Sequence, residues 1–111
     1  METNIPDSKL IVFCTVKDLD EAATIAKILV KEKLAACVNI VPSIRSIYRW
    51  KGKINDESEV LMMIKTSKKL YYDLKSQIRA VHSYDVPEIV AFKPDEISVD
   101  FEKWWGDQLA D

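Results

Sequence analysis

The spacing of apolar residues along this chain alternates between the period of a strand and that of a helix, and the order of the switches leaves few folds open. Leu10 to Val16 is a nearly continuous β-branched and aromatic run, too short for a helix, and reads as a central strand covered on both faces. Asp18 followed by Glu21 is a capping-box-like start. Ala22, Ile25, Ala26, Ile28, Leu29 and Val30 then give a helical apolar face to about Lys33. A second strand begins near Ala36 and is interrupted at Pro42, which predicts an edge or a bulge there. It resumes through Ile44, Ile47, Tyr48 and Trp50 to a turn at Lys51-Gly52-Lys53. A third strand is predicted over Glu59 to Thr66. Ser67 is placed to cap a second helix with Leu70, Leu74, Ile78 and Val81 on one stripe. Val86-Pro87 forces extended backbone before a fourth strand, Glu88 to Phe92. Ser98 is placed to cap a final helix carrying Phe101, Trp104, Trp105 and Leu109.

The order β-α-β-β-α-β plus a C-terminal helix is the ferredoxin-like split βαβ motif, an α+β fold. It predicts an antiparallel sheet in the order 4-1-3-2 with both crossover helices on one face. The 111 residues fit one domain, residues 9–111, behind a short tail, residues 1–8, expected to fray. Cys14 and Cys37 fall on strands separated by a third, so their backbones lie roughly 10 Å apart, too far for a disulfide.

Charge narrows the partners. Sixteen basic against 18 acidic side chains give a net charge of −2, which argues against nucleic acid and anionic membranes. No apolar run approaches the roughly 18 residues of a membrane span. The polar start, Met1 to Ser8, does not read as a signal peptide. With two cysteines, this points to the cytoplasm and to free thiols.

The second and third strands form an unusually long hairpin. Ala36 to Gly52 reaches roughly 50–55 Å if extended, against a radius of gyration of about 13 Å for a compact chain of this size. The hairpin must bend or project, and its far half carries Ile44, Ile47, Tyr48 and Trp50, which favour burial. The helix-free sheet face also needs cover. Neighbouring copies of the chain would meet both needs; the alternative is a hairpin that curls over its own sheet.

Several segments resemble one family. Glu21-Ala22-Ala23, Ile25-Ala26 and Leu29-Val30 lead into Lys33-Leu34-Ala35-Ala36-Cys37-Val38-Asn39-Ile40. Ser46-Ile47-Tyr48, Trp50, Gly52-Lys53, Glu59-Val60 and Lys65-Thr66 follow, then His82, Tyr84 and Val86-Pro87-Glu88-Ile89. In this order, over about Ile11 to Trp104, they resemble the CutA divalent-cation tolerance family. The resemblance implies a ferredoxin-like subunit, a tight homotrimer, a cytosolic home and a link to copper and other divalent-metal tolerance. It also implies an architecture shared with trimeric PII-type signalling proteins. The metal ligands proposed in the family carry over to Cys14 and His82. Some members have two adjacent histidines where this chain has Val81-His82, and Ser83 replaces a common proline, so a site relying on both histidines would lose a ligand here.

Read on their own, Cys14 and His82 are the one soft pair that topology brings to one end, and thiolate with imidazole suits copper. A closed zinc site needs four protein ligands, which leaves weak copper binding. Against this, Cys14 alternates with Leu10 and Val12 as a core thiol would, and His82 suits a helix C-terminus. Tyr48, Trp50, Glu59, Lys65, Tyr84 and Glu88 combine aromatic walls with charge, as a ligand cleft between subunits does, or as an interface with a charged rim does. Asp56-Glu57-Ser58-Glu59 reads as a solvated turn. Trp104 and Trp105 are expected to lock the last helix down. With Gly52 and Gly106 the only glycines, no phosphate loop is present, and no oxyanion motif accompanies the cysteine and histidine. The expectation is a non-enzymatic protein without organic cofactor. It is either a trimeric metal-tolerance protein that binds copper weakly or a PII-like sensor holding a small ligand between subunits.

Overall fold

A computed structural model describes residues 7–111. The elements are β1 (Lys9–Val16), α1 (Leu19–Lys31), β2 (Cys37–Trp50), β3 (Lys53–Ser67), α2 (Lys68–Val81), β4 (Ile89–Phe92) and α3 (Val99–Asp107). The sheet order is β2-β3-β1-β4 with every pair antiparallel, the predicted ferredoxin-like arrangement.

Alternation along the strands divides the sheet into two unlike faces. Val12, Cys14 and Val16 of β1 and Val60, Met62 and Ile64 of β3 turn toward the helices. There they meet Ala22, Ile25 and Leu29 of α1 and Leu74 and Ile78 of α2, forming the core. The opposite face carries Ile11, Phe13, Leu61, Met63, Val90 and Phe92. Phe13 and Phe92 pack edge to face with ring centroids 5.0 Å apart. Yet Val90 remains 54% exposed and Phe92 41%.

The ends of the helices are tied by distant chain. Asp18 Oδ1 accepts from Glu21 N–H at 2.8 Å, so α1 starts as its sequence predicts. α2 does not. Ser67 stands at its N-cap with no capping bond, and its buried hydroxyl has no partner among the described residues. The first turn is capped from far upstream instead: Ser8 O accepts from Lys68 N–H at 2.8 Å and Asp7 Oδ1 from Lys69 N–H at 2.9 Å. Asp7 and Ser8 are therefore part of the fold and not of a fraying tail; the rest of that expectation, Met1 to Pro6, lies outside the described residues. At α3, Ser98 contributes its carbonyl to Glu102 N–H but no side-chain cap. Trp105, 1% exposed, locks this helix by donating its indole N–H to Thr66 O at 3.0 Å. Trp104 is 43% exposed and takes no part in that lock. Cys14 and Cys37 are both free.

The hairpin projects. The molecule measures 51 × 26 × 26 Å with a radius of gyration of 15.1 Å. β2 and β3 pair from Cys37↔Lys65 out to Trp50↔Lys53, with a register shift between Val41 and Ile44 at Pro42. Lys51 and Gly52 both have positive φ, 50° and 79°, which is the two-residue turn matched to strand twist. The third strand starts at Lys53, not Glu59, so Asp56 to Glu59 is paired strand and not a turn. Arg45 makes a bidentate pair with Asp56, at 2.8 and 2.6 Å. Ile47 and Ile54 near the tip are 64% and 70% exposed.

Candidate functional site

The β1–β4 pairing stops at Cys14↔Ile89. One residue further on, the Thr15 carbonyl lies past the end of β4 and needs another donor. His82, at the exit of α2, supplies it: Nε2 lies 2.8 Å from Thr15 O. The other ring nitrogen, Nδ1, accepts from the Tyr84 N–H at 3.0 Å. Because Nδ1 accepts, the ring proton sits on Nε2 and is donated to Thr15. Both nitrogens are engaged.

Glu21 fastens the same corner from α1. Its carboxylate accepts from Ser83 N–H at 2.7 Å, Ser83 Oγ–H at 3.0 Å and Lys17 N–H at 3.3 Å. Burial works against ionisation of Glu21, but these donors together with His82 hold its carboxyl below the ordinary value.

Clamped in this way, the α2–β4 connection lays Tyr84 over the sheet. Its hydroxyl donates to Glu59 Oε2 at 2.7 Å, and its ring sits 4.8 Å from that of His82. A cleft of about 430 Å³ opens between this connection and the outer half of the hairpin. Tyr48, Trp50 and Tyr84 are its aromatic residues, Glu57, Glu59, Asp85 and Glu88 its carboxylates, and among the described residues no basic side chain lines it. Tyr48 donates to Glu57 Oε1 at 3.1 Å. Glu59 is only 7% exposed. Burial, then the bond to Glu59, pushes the Tyr84 phenol well above its ordinary value.

Of the residues singled out in the sequence, Tyr48, Trp50, Glu59, Tyr84 and Glu88 meet in this cleft. Lys65 does not. It stands opposite Cys37 in the β2–β3 register, with its ammonium against Asn39 Oδ1 and 3.9 Å from Cys37 Sγ. Cys14 and His82 arrive at one end of the sheet, joined through Thr15 and not to each other. Cys14 is fully buried, its thiol 3.8 Å from Thr15 O. Burial first, then Glu88, Glu21 and Glu59, pushes that thiol up to about 12. No group of three or more His, Cys, Asp or Glu side chains among the described residues is placed to hold a metal ion.

Thr15, Glu57, Ser83, Asp85 and Val86 also line the cleft and were not anticipated. Glu57 carries a usable signal, since it is two residues from Glu59 and so shares its strand face. Ser83 and Asp85 lie in a connection with no periodicity to read.

Comparison with known proteins accords with the geometry. The family described as CutA1 divalent ion tolerance protein matches residues 10–108. The divalent-cation tolerance protein CutA of Thermus thermophilus is 46% identical over 94 residues, covering 85% of this chain and 91% of that protein. Protein CutA of Homo sapiens is 43% identical over 100 residues, 90% of this chain but 56% of the human protein. Among solved structures, the divalent cation tolerance protein from Thermus thermophilus superposes with a TM-score of 0.89 at 42% identity, covering 92% of this chain and 99% of that one. CutA1 from Oryza sativa gives 0.91 at 35% identity, covering 95% and 96%. The fold is thus that of a ferredoxin-like domain with a long projecting hairpin. The chain belongs to the CutA1 divalent ion tolerance family. No helix among the described residues is long and apolar enough to cross a membrane.

Proposed function

We propose that the chain works as a cytoplasmic homotrimer in divalent-metal tolerance, copper included. The observation that carries the assembly is the apolar sheet face of Ile11, Phe13, Leu61, Met63, Val90 and Phe92, on which Val90 and Phe92 are exposed and the others half-buried. It lies on the same sheet as a hairpin whose tip exposes Ile47 and Ile54. Contiguous apolar surface of this kind marks an association site, and two further copies would cover it. The metal link rests on the family and on the names of its members. The cytoplasm suits two free thiols.

Copper contact at Cys14 and His82 is weak in this reading, for two reasons. Copper must displace a proton from a thiol pushed up to about 12, since the thiolate is the ligand. His82 must also release Thr15 or Tyr84 to free a lone pair. The same features leave the pair without an activated nucleophile, so the protein is read as a binder and not an enzyme. Native mass spectrometry of the untreated protein tests the assembly and the bound mass together. A trimer with less than one copper per chain is expected, and a monomer would overturn the reading. Titration of Cu(I) into Cys14→Ser should weaken binding further; unchanged affinity would eliminate Cys14 as a ligand.

A second reading, a PII-like sensor that holds a small ligand, is favoured by the cleft itself. Its volume lies in the range of ligand pockets, and its walls are aromatic with convergent polar groups. A ligand that raises the melting temperature in the presence of chelator, and no longer does so in Trp50→Ala, would support it.

A further inference from the structure

Resting on the reading of the cleft as a ligand site, we propose that its ligand is an organic cation: a small amine carrying one or more primary ammonium groups. The central observation is Glu59. It is more than nine-tenths buried, at 7% exposure, yet its one protein partner is a neutral phenol. Oε2 accepts from Tyr84, and no protein donor reaches Oε1 among the described residues. The ion pairs found among those residues, Arg45 with Asp56 and Lys103 with Asp107, leave Glu59 without a cation. A buried carboxylate is costly unless a charge or several donors compensate it. Glu59 lines a cleft of about 430 Å³ with no basic side chain among the described residues of its lining, and on its other side a shallower one that Lys17 also lines without pairing to it.

The rest of the lining selects the kind of cation. Tyr48, Trp50 and Tyr84 offer π faces, which attract ammonium groups and also cover a hydrocarbon stem. A bare divalent ion would need several converging oxygens, and no such group is placed to hold one among the described residues. Tyr48 and Tyr84 already spend their hydroxyl protons on Glu57 and Glu59. The cleft therefore presents acceptors and few donors, which disfavours phosphates and carboxylates as ligands. An alkylammonium supplies what the site lacks: N–H donors for Glu59 Oε1, positive charge for the surrounding carboxylates and a methylene chain for the aromatic walls.

The test uses the full chain at low salt with chelator present. Melting is followed with 1,4-diaminobutane, spermidine, the neutral 1,4-butanediol, magnesium chloride and adenosine triphosphate as probes. Both amines are expected to stabilise the protein saturably and the diol is not. Glu59→Gln keeps the acceptor for Tyr84 but loses the charge, and should weaken amine binding about tenfold or more. Glu57→Gln, at the more exposed edge, provides the second variant and should weaken it less. Equal stabilisation by magnesium would reduce the cleft to a diffuse negative surface and overturn the proposal. Stabilisation by the nucleotide but not the amines, lost in Trp50→Ala, would overturn the amine while keeping the cleft as a ligand site. No response to any probe, in the parent or either variant, would overturn both.

Discussion

At the scale of single residues, Glu21 joins roles the sequence shows separately. Its backbone N–H completes the α1 cap, while its side chain holds the loop that carries Ser83 and Tyr84. Its folded value lies below the ordinary 4.5. The stability it contributes is therefore complete above the unfolded carboxylate range and is lost as pH falls through the depressed value. Glu21→Gln should lower the urea midpoint at pH 7 and narrow the difference between pH 7 and pH 4, as measured by equilibrium unfolding at both. The capping role was legible because Asp18 and Glu21 are three apart. The reach to Ser83 was not, because it joins residues 62 positions apart with no periodic signal between them. The same holds for His82. Topology brings it to the end of β1, but its two hydrogen bonds emerge only once β4 is seen to stop short of Thr15.

At the scale of elements, the order of strands and helices was fully legible, because each segment carries a clear period and the split βαβ topology follows from the order. The boundary of β3 was not. Asn55, Asp56, Glu57 and Ser58 have poor strand preference, and cross-strand partners override it: Arg45 binds Asp56 and Tyr48 binds Glu57. The cap of α2 was misassigned for the opposite reason. Ser67 has the right chemistry, but β3 carries its side chain into the interior, and Asp7 and Ser8 replace it. Asp7→Ala should cost about 1 kcal/mol in denaturant unfolding, and Ser67→Ala should cost less, since it removes a hydroxyl that has no partner. For α3, Trp105→Ala should cost about 3–5 kcal/mol, the range for a large buried aromatic. Trp105→Phe should cost less, leaving mainly Thr66 O without its donor.

At the scale of the whole molecule, 51 Å of length against 26 Å of width means that the hairpin tip has no core of its own. Its apolar residues gain burial only from another copy in the proposed trimer. Trp50→Asp places a charge at the edge of that contact and should yield smaller species by sedimentation; an unchanged trimer would remove the hairpin from the assembly. Length and apolar content made the projection legible, since the reach of seventeen extended residues exceeds the radius of a compact domain. The cleft was legible only in part. Its aromatic and acidic members were readable, but Lys65, placed with them by charge, lies at the other end of the strand opposite Cys37.

The two-residue turn at Lys51-Gly52 also sets an order of events. Pairing β2 with β3 closes the shortest possible loop, whereas β1 must find β3 across the stretch from Val16 to Val60. Loop-closure entropy favours the hairpin as the first sheet contact to form. The ribbon that the proposed trimer would set against other copies therefore takes shape before the sheet to which it belongs. In a cell making many chains at once, the earliest structured piece of each is also its stickiest, and the interval before β1 docks is when wrong pairings between nascent chains have their best opportunity.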